Sequence, residues 1–458
     1  MLNNLKKIHF VGIGGIGMSG LAKVLLEMGY EVTGSDAVAN SCVKQLGLKG
    51  AKISLGHSKH NLDPEVGLVV YSSSIPKDNP ELLEAKRREI PVLHRADILA
   101  DLMSCRIGIA VAGAHGKTTT TAMIAHILDE AGLEPTAVVG GWVNTWNTNA
   151  ILGKGNLFIA ESDESDGSFL KLSPVYTVVN NIDEEHFDYY RNIDNAIEAY
   201  RNFIENTRDY GCVFYCNEDV YLRRIMQNYR RRNVSYGLTS GADIYAEKIK
   251  LAKNIVEFEC IYYGNDIGKL RLQVPGLHNV INAEAALAVA RELNVSLEIV
   301  KKALFSYKGT RRRFQIKKEK PIMIVDDYAH HPSEIKVTLE AASKWGKNRI
   351  VTVFQPHRYS RTFYLKEHFA DAFRLSDKLV ITDIYAAGEK PIPGVNGRDI
   401  FKAVINNGYK HAVYLHREEI IPYLLKITQS GDLVLMLGAG DITNLTDELV
   451  YRLEKYAH

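Results

Sequence analysis

Short apolar runs, broken by polar or glycine residues, recur along the chain, and between them apolar residues fall at helical spacing. Such runs predict strands buried on both faces, joined by helical crossovers, which reads as α/β with mostly parallel sheets. Residues 8–11, 30–33 and 67–71 form a first group of runs. Residues 107–112, 157–160 and 176–181 form a second, and 322–325, 350–354, 379–381 and 433–436 a third. A chain of 458 residues is expected to hold about three domains. The pattern places them at 1–105, 106–313 and 314–458. They read as an N-terminal Rossmann-like unit, a central P-loop ATPase-like unit with a mostly parallel sheet, and a C-terminal Rossmann-like unit. The runs end in polar residues or glycine, where open parallel sheets bind ligands, so the three units are expected to meet around one cleft.

Composition removes several classes. A net charge of +2 argues against a dedicated nucleic-acid binder. No apolar run reaches the roughly 18 residues of a membrane span, and the N-terminus has no signal-peptide layout. Cys42, Cys105, Cys212, Cys216 and Cys260 are scattered, without zinc spacing, and read as reduced thiols of a cytoplasmic protein.

The most informative stretch is Gly113-Ala114-His115-Gly116-Lys117-Thr118-Thr119, between an apolar run and a helical pattern. Backbone N–H groups of such a loop point at phosphate oxygens, a lysine reaches the terminal phosphates and a threonine hydroxyl meets Mg²⁺. The common spacing would need glycine at 111, where this chain has Val111. Near the N-terminus, Gly12-Ile13-Gly14-Gly15-Ile16-Gly17 follows a strand and opens a helix, and Asp36 follows the next strand. That is the dinucleotide fingerprint, but its physical content is close backbone approach to a diphosphate, which serves NAD or a UDP-sugar equally. Glu161-Ser162-Asp163-Glu164-Ser165-Asp166 and Asp183-Glu184-Glu185-His186 end two strands beside the phosphate loop. Carboxylates there suit Mg²⁺, with Glu161 and His186 as the candidate ligands.

These segments, with Gly276-Leu277-His278-Asn279, Gly309-Thr310-Arg311-Arg312-Arg313, Asp326-Asp327-Tyr328-Ala329-His330-His331-Pro332 and Gln355-Pro356-His357-Arg358-Tyr359-Ser360-Arg361, resemble the Mur ligases in order and spacing over essentially the whole chain. The family's own phosphate loop has the shorter form found here. The resemblance implies ATP-dependent amide formation in peptidoglycan precursor synthesis, in this case joining L-alanine to the carboxylate of UDP-N-acetylmuramate through an acyl phosphate. It implies ATP and two Mg²⁺ ions, with Mn²⁺ as a substitute, and a monomer or weak homodimer. Gly113, Ala114, His115, Gly116, Lys117, Thr118, Thr119, His278, Asn279, Arg313 and Asp327 would hold ATP. Thr118, Glu161 and His186 would hold metal, and Lys117, Glu161, His186 and Arg313 would serve the chemistry. Gly14, Gly15, Ile16, Gly17, Ser35, Asp36, Ser72, Ser73 and Ser74 would meet the UDP-sugar. Tyr328, His330, His357, Arg358 and Arg361 would form the amino-acid pocket. The proton leaving the attacking amine could go to His186, His330 or solvent. Two rivals stand beside this reading. An NAD-dependent oxidoreductase leaves the Gly-Lys-Thr loop unexplained, and a nucleotide switch leaves the His/Arg pocket without purpose.

Overall fold

Three sheets carry the apolar runs. The computed structural model describes residue 2 and residues 5–252, 255–346 and 348–455. Met1, Asn3 and Asn4, part of the N-terminus read for a leader, lie outside the described residues.

The first sheet holds Lys7–Val11, Glu31–Asp36, Lys52–Leu55, Leu68–Tyr71 and Val92–His94, all parallel, in the spatial order third, second, first, fourth, fifth. The order reverses beside Lys7–Val11, so the loops after Val11 and Tyr71 open on one crevice. The second strand runs on to Asp36, past the expected end at 33. Gly34 reads as a break but is a packing glycine: a Cβ there would sit 2.7 Å from Ile13 and from the Phe10 carbonyl.

In the central sheet the phosphate-loop strand Ile107–Ala112 lies between Leu157–Glu161 and Tyr176–Val179, all parallel. Both acidic segments therefore emerge beside the loop. The antiparallel strands Ile244–Ala252, Ile255–Tyr262 and Asn265–Leu272 extend this sheet. The apolar-run pattern does not predict them, because they have one solvated face and alternate buried with exposed positions. Charged pairs such as Lys269–Glu257 occupy that face.

The third sheet is ordered Gln315–Lys318, Met323–Asp327, Leu433–Leu437, Ile350–Phe354, Lys378–Ile381, Ala412–Tyr414, antiparallel only at the first pair. Its two faces bury separate apolar clusters. The first two domains instead share one continuous apolar cluster. Helix Ile16–Glu27 seats on the hairpin strand Thr148–Ile151: Lys23 Nζ donates to Thr148 Oγ1 at 3.0 Å, and Asn149 Nδ2 donates to the Ile16 carbonyl at 2.6 Å. The third domain meets them largely through polar groups around the cleft. No helix among the described residues is long and apolar enough to cross a membrane.

Candidate active site

The phosphate loop joins strand Ile107–Ala112 to helix Lys117–Glu130. Val111 is fully buried inside the strand, so the turn begins only at Gly113 and needs no glycine earlier. Gly116 takes φ +79, and a Cβ there would lie 2.7 Å from Asn282 Oδ1 and 2.9 Å from Asn180 Nδ2. The neighbouring strand's exit holds the loop: Ala114 N donates to the Asn181 carbonyl at 3.1 Å and His115 N to Asn181 Oδ1 at 2.8 Å. Thr119 is buried in the helix start, and Thr120 Oγ1 donates to Asn282 Oδ1.

Lys117 Nζ donates to Glu164 Oε1 at 2.7 Å and to the Gly113 carbonyl at 2.5 Å. Burial works against its charge, but Glu164 and Glu161 outweigh that and raise its pKa. Glu161 Oε2 accepts from Thr118 Oγ1 at 2.9 Å and from Gly140 N at 2.8 Å. Glu164, Glu185 and His186 offer ligand atoms within 4.8 Å of one another. Glu164 Oε2 is buried with no hydrogen-bond partner. His186 Nε2 is 3.6 Å from Glu164, and despite burial the neighbouring carboxylates raise its pKa. Oxygen donors with one imidazole, beside a phosphate loop, suit a hard divalent cation.

From the third domain, Tyr328, His330, His357, Arg358 and Arg361 converge on the same cleft. The His330 and His357 rings are 5.6 Å apart, and Tyr328 meets His330 edge-on at 5.2 Å. Arg361 donates from Nη1 to His357 Nδ1 at 3.2 Å, and its Nη2 lies 3.5 Å from Glu185. Burial, then His330 and three arginines, Arg361, Arg358 and Arg312, push His357 down to about 2. Burial and Arg361 also lower His330. Both shifts favour the uncharged rings. Arg313 lies 3.4 Å from Glu334, its guanidinium 5.2 Å from the Tyr328 ring centre.

The cleft measures about 1040 Å³ and is also lined by Gly15, Ile16, Gly17, Ser72, Ser73, Ser74, Ala114, Gly116, Lys117, Thr118, Glu161, His186 and Arg313. Other expected residues stand behind it. Asp36 accepts from Gly14 N at 2.8 Å and from Val38 N, holding the glycine loop from below. Ser35 is fully buried; its hydroxyl donates to Glu81 at 2.6 Å, and its carbonyl accepts from Gly12 and Ile13. Asp327 accepts from Phe314 N and Ala329 N, and burial, opposed by Arg313, raises it to about 6. His278 and Asn279 open helix Leu277–Glu292; Asn279 Nδ2 donates to the Pro275 carbonyl, while burial and then Arg313 push His278 down to about 4. Gly113 and His115 likewise lie beside the cleft rather than on its wall. Sequence reasoning did not single out Arg95, which pairs with Asp163 and lines the cleft, or Glu334. Glu164 and Glu185 were visible only as members of acidic runs.

Residues 7–106 match the Mur ligase family, catalytic domain; residues 111–290 the Mur ligase middle domain; and residues 312–440 the Mur ligase, glutamate ligase domain. A UDP-N-acetylmuramate–L-alanine ligase from Syntrophotalea carbinolica is 45% identical over 457 residues, covering 99% of this chain and 100% of that one. The enzyme of that name from Geobacter sulfurreducens is 46% identical over 459 residues, covering 99% of each. The crystal structure of UDP-N-acetylmuramate-alanine ligase from Thermotoga maritima superposes with a TM-score of 0.84 at 31% identity, covering 98% of this chain and 99% of that one. With all three domains matched in order, and relatives this similar from end to end, the chain belongs to the Mur ligase family.

Proposed function

We propose that this enzyme joins L-alanine to the carboxylate of UDP-N-acetylmuramate, consuming ATP and releasing ADP and phosphate, as a cytoplasmic step of peptidoglycan precursor synthesis. The supporting observation is that a glycine loop, a phosphate loop and a His/Arg pocket, one from each domain, open on a single cleft. We assign residues 1–105 to the UDP-sugar, 106–313 to ATP and 314–458 to the amino acid. The relatives' shared name supports the choice of substrates.

A carboxylate is a poor acyl donor because oxide is a poor leaving group. Transfer of the γ-phosphoryl to it gives an acyl phosphate whose leaving group is phosphate. Such a transfer needs positioning and charge neutralisation more than covalent help. Lys117, held charged beside Glu164, and Arg313 supply the cationic side chains. Thr118, Glu161, Glu164, Glu185 and His186 fit Mg²⁺, whose contribution when bound is to neutralise phosphoryl charge. The unpartnered Glu164 oxygen is the observation behind that fit. Arg358 and Arg361 face the alanine carboxylate as guanidinium forks. The amine must lose a proton to attack, and we assign its uptake to His330, whose Nδ1 is engaged by the Tyr328 carbonyl at 2.9 Å and whose Nε2 is left to accept it. The test is phosphate release with each substrate left out in turn. Release is expected only with ATP, Mg²⁺, UDP-N-acetylmuramate and L-alanine together. An equal rate without the sugar nucleotide or without the amino acid would overturn the assignment.

A further inference from the structure

One buried carboxylate at the domain junction has no part in the chemistry above. Glu334 sits in the first turn of helix Pro332–Ser343. Its Oε2 accepts from His330 N at 3.0 Å and His331 N at 3.3 Å, which is the work of a helix cap. A cap needs one oxygen. The other, Oε1, reaches across the domain boundary to 3.4 Å from His115 Nδ1 in the phosphate loop, and is also 3.4 Å from Arg313 Nη1, just before strand Gln315–Lys318 of the third sheet. Oε2 is also 3.1 Å from His330 Nδ1 in the amino-acid pocket. The side chain is 10% exposed, so these contacts are little screened. Beside it, His115 Nε2 pairs with Asp183 at 2.8 Å, and Asp183 accepts from Ser333 of the third domain at 2.8 Å.

We infer that Glu334 is a positioning residue that ties the phosphate loop to the amino-acid pocket, so that both take their working shape only while the third domain is seated on the central one. The inference rests on the function proposed above. The physical argument is the split between its two oxygens. One shapes the loop carrying His330, and the other faces Arg313 and, on the phosphate loop, His115, which burial would lower but Asp183 and Glu334 raise to about 10. Moving the third domain away would separate Oε1 from His115 and Asp183 from Ser333, exchanging both contacts for water. Seating of that domain and order of the phosphate loop are thus linked, and such linkage is reciprocal for binding.

Glu334→Gln tests this, because an amide oxygen can still cap the helix while the charge facing His115 and Arg313 is gone. The expected result is a rise in KM for L-alanine of about tenfold, with KM for ATP rising several-fold and KM for UDP-N-acetylmuramate within about twofold of wild type. His115→Asn approaches the same link from the nucleotide side and leaves the cap intact. It too is expected to raise KM for L-alanine, though His115 is outside that pocket, and the double variant is expected to be little worse than the poorer single one. A merely structural role would lower melting temperature or kcat without this split. KM values for alanine and ATP both within twofold of wild type in either folded variant would overturn the inference. Should Glu334→Gln not fold, unchanged alanine KM in His115→Asn would overturn it alone. A wild-type enzyme whose phosphate release ignores the amino acid would instead refute the underlying functional assignment.

Discussion

Gly140→Ala should disable the enzyme without unfolding it. Gly140 lies in strand Thr136–Val143 with a backbone conformation open to alanine. Its lack of a side chain makes room for Glu161: a Cβ would stand 2.3 Å from Oε2, 2.5 Å from Cδ and 2.6 Å from Oε1 of that carboxylate. Ordinary contact begins near 3.4 Å, so the carboxylate must retreat by about 1 Å. It then gives up its bonds from Gly140 N and Thr118 Oγ1. A misplacement of about 1 Å in a reacting constellation costs on the order of 10²-fold, or about 3 kcal/mol. Turnover should therefore fall about 100-fold, and half-saturation by Mg²⁺ should move to higher concentration, while the melting temperature changes little. Gly47→Ala is the control. It lies in helix Ser41–Leu48, where a Cβ meets nothing within 4 Å, so activity should hold and stability should rise by up to about 1 kcal/mol. The measurements are ADP release across an Mg²⁺ titration and thermal unfolding of both variants. Turnover and Mg²⁺ dependence within threefold of wild type in Gly140→Ala would refute the placement of Glu161 as the controlling feature.

Lys117→Ala should lower turnover by on the order of 10²-fold or more while the protein stays soluble, since charge on the moving phosphoryl is no longer matched; single-turnover phosphate release measures this, and near-wild-type rates would count against it. Arg361→Ala should raise KM for L-alanine by about 10- to 100-fold and spare that for UDP-N-acetylmuramate, with Arg361→Lys rescuing only in part; a rise confined to ATP would move this arginine to the nucleotide. Glu81 sets a pH dependence of stability. It is buried, which alone would raise its pKa, but hydrogen bonds from His9, Ser35 and Asn61 prevail and hold it near 2, against an ordinary 4.5. A depressed carboxylate stabilises the fold above the unfolded value, so the contribution is full above pH 4.5 and fades as pH falls towards 2. Discounted for solvent screening, it amounts to about 2 kcal/mol. Urea unfolding should show Glu81→Gln weaker than wild type at pH 7 and the gap closing below pH 4; a gap independent of pH would disprove the account.

Much of this was legible in the chain itself, and the reason is local. Parallel strands buried on both faces need unbroken apolar runs, so central strands such as Lys7–Val11, Ile107–Ala112 and Ile350–Phe354 announce themselves, while half-exposed edge strands such as Lys52–Leu55 and Ala412–Tyr414 do not. A loop that cradles phosphate needs glycines and a lysine at fixed offsets, so Gly113, Gly116 and Lys117 stand out as a candidate nucleotide site with nothing else known. What lay hidden depended on neighbours distant in sequence. Gly34 looks like a break until Ile13 and Phe10 are seen pressing on it. Ser35 and Asp36 sit at the right spacing for a ligand, and their side chains are engaged by Glu81 and Gly14, partners that the spacing alone does not show. The last strand, Leu433–Leu437, inserts between Met323–Asp327 and Ile350–Phe354, an order no local pattern encodes. Glu334 is the clearest case. In sequence it is the third residue of a helix, and a capping role accounts for it. Only the seating of the third domain on the central one brings His115 to its second oxygen. Residue type and spacing determine what a segment is able to bind; which charges end up facing one another is decided by packing, since electrostatic pairing acts across space and is blind to separation along the chain.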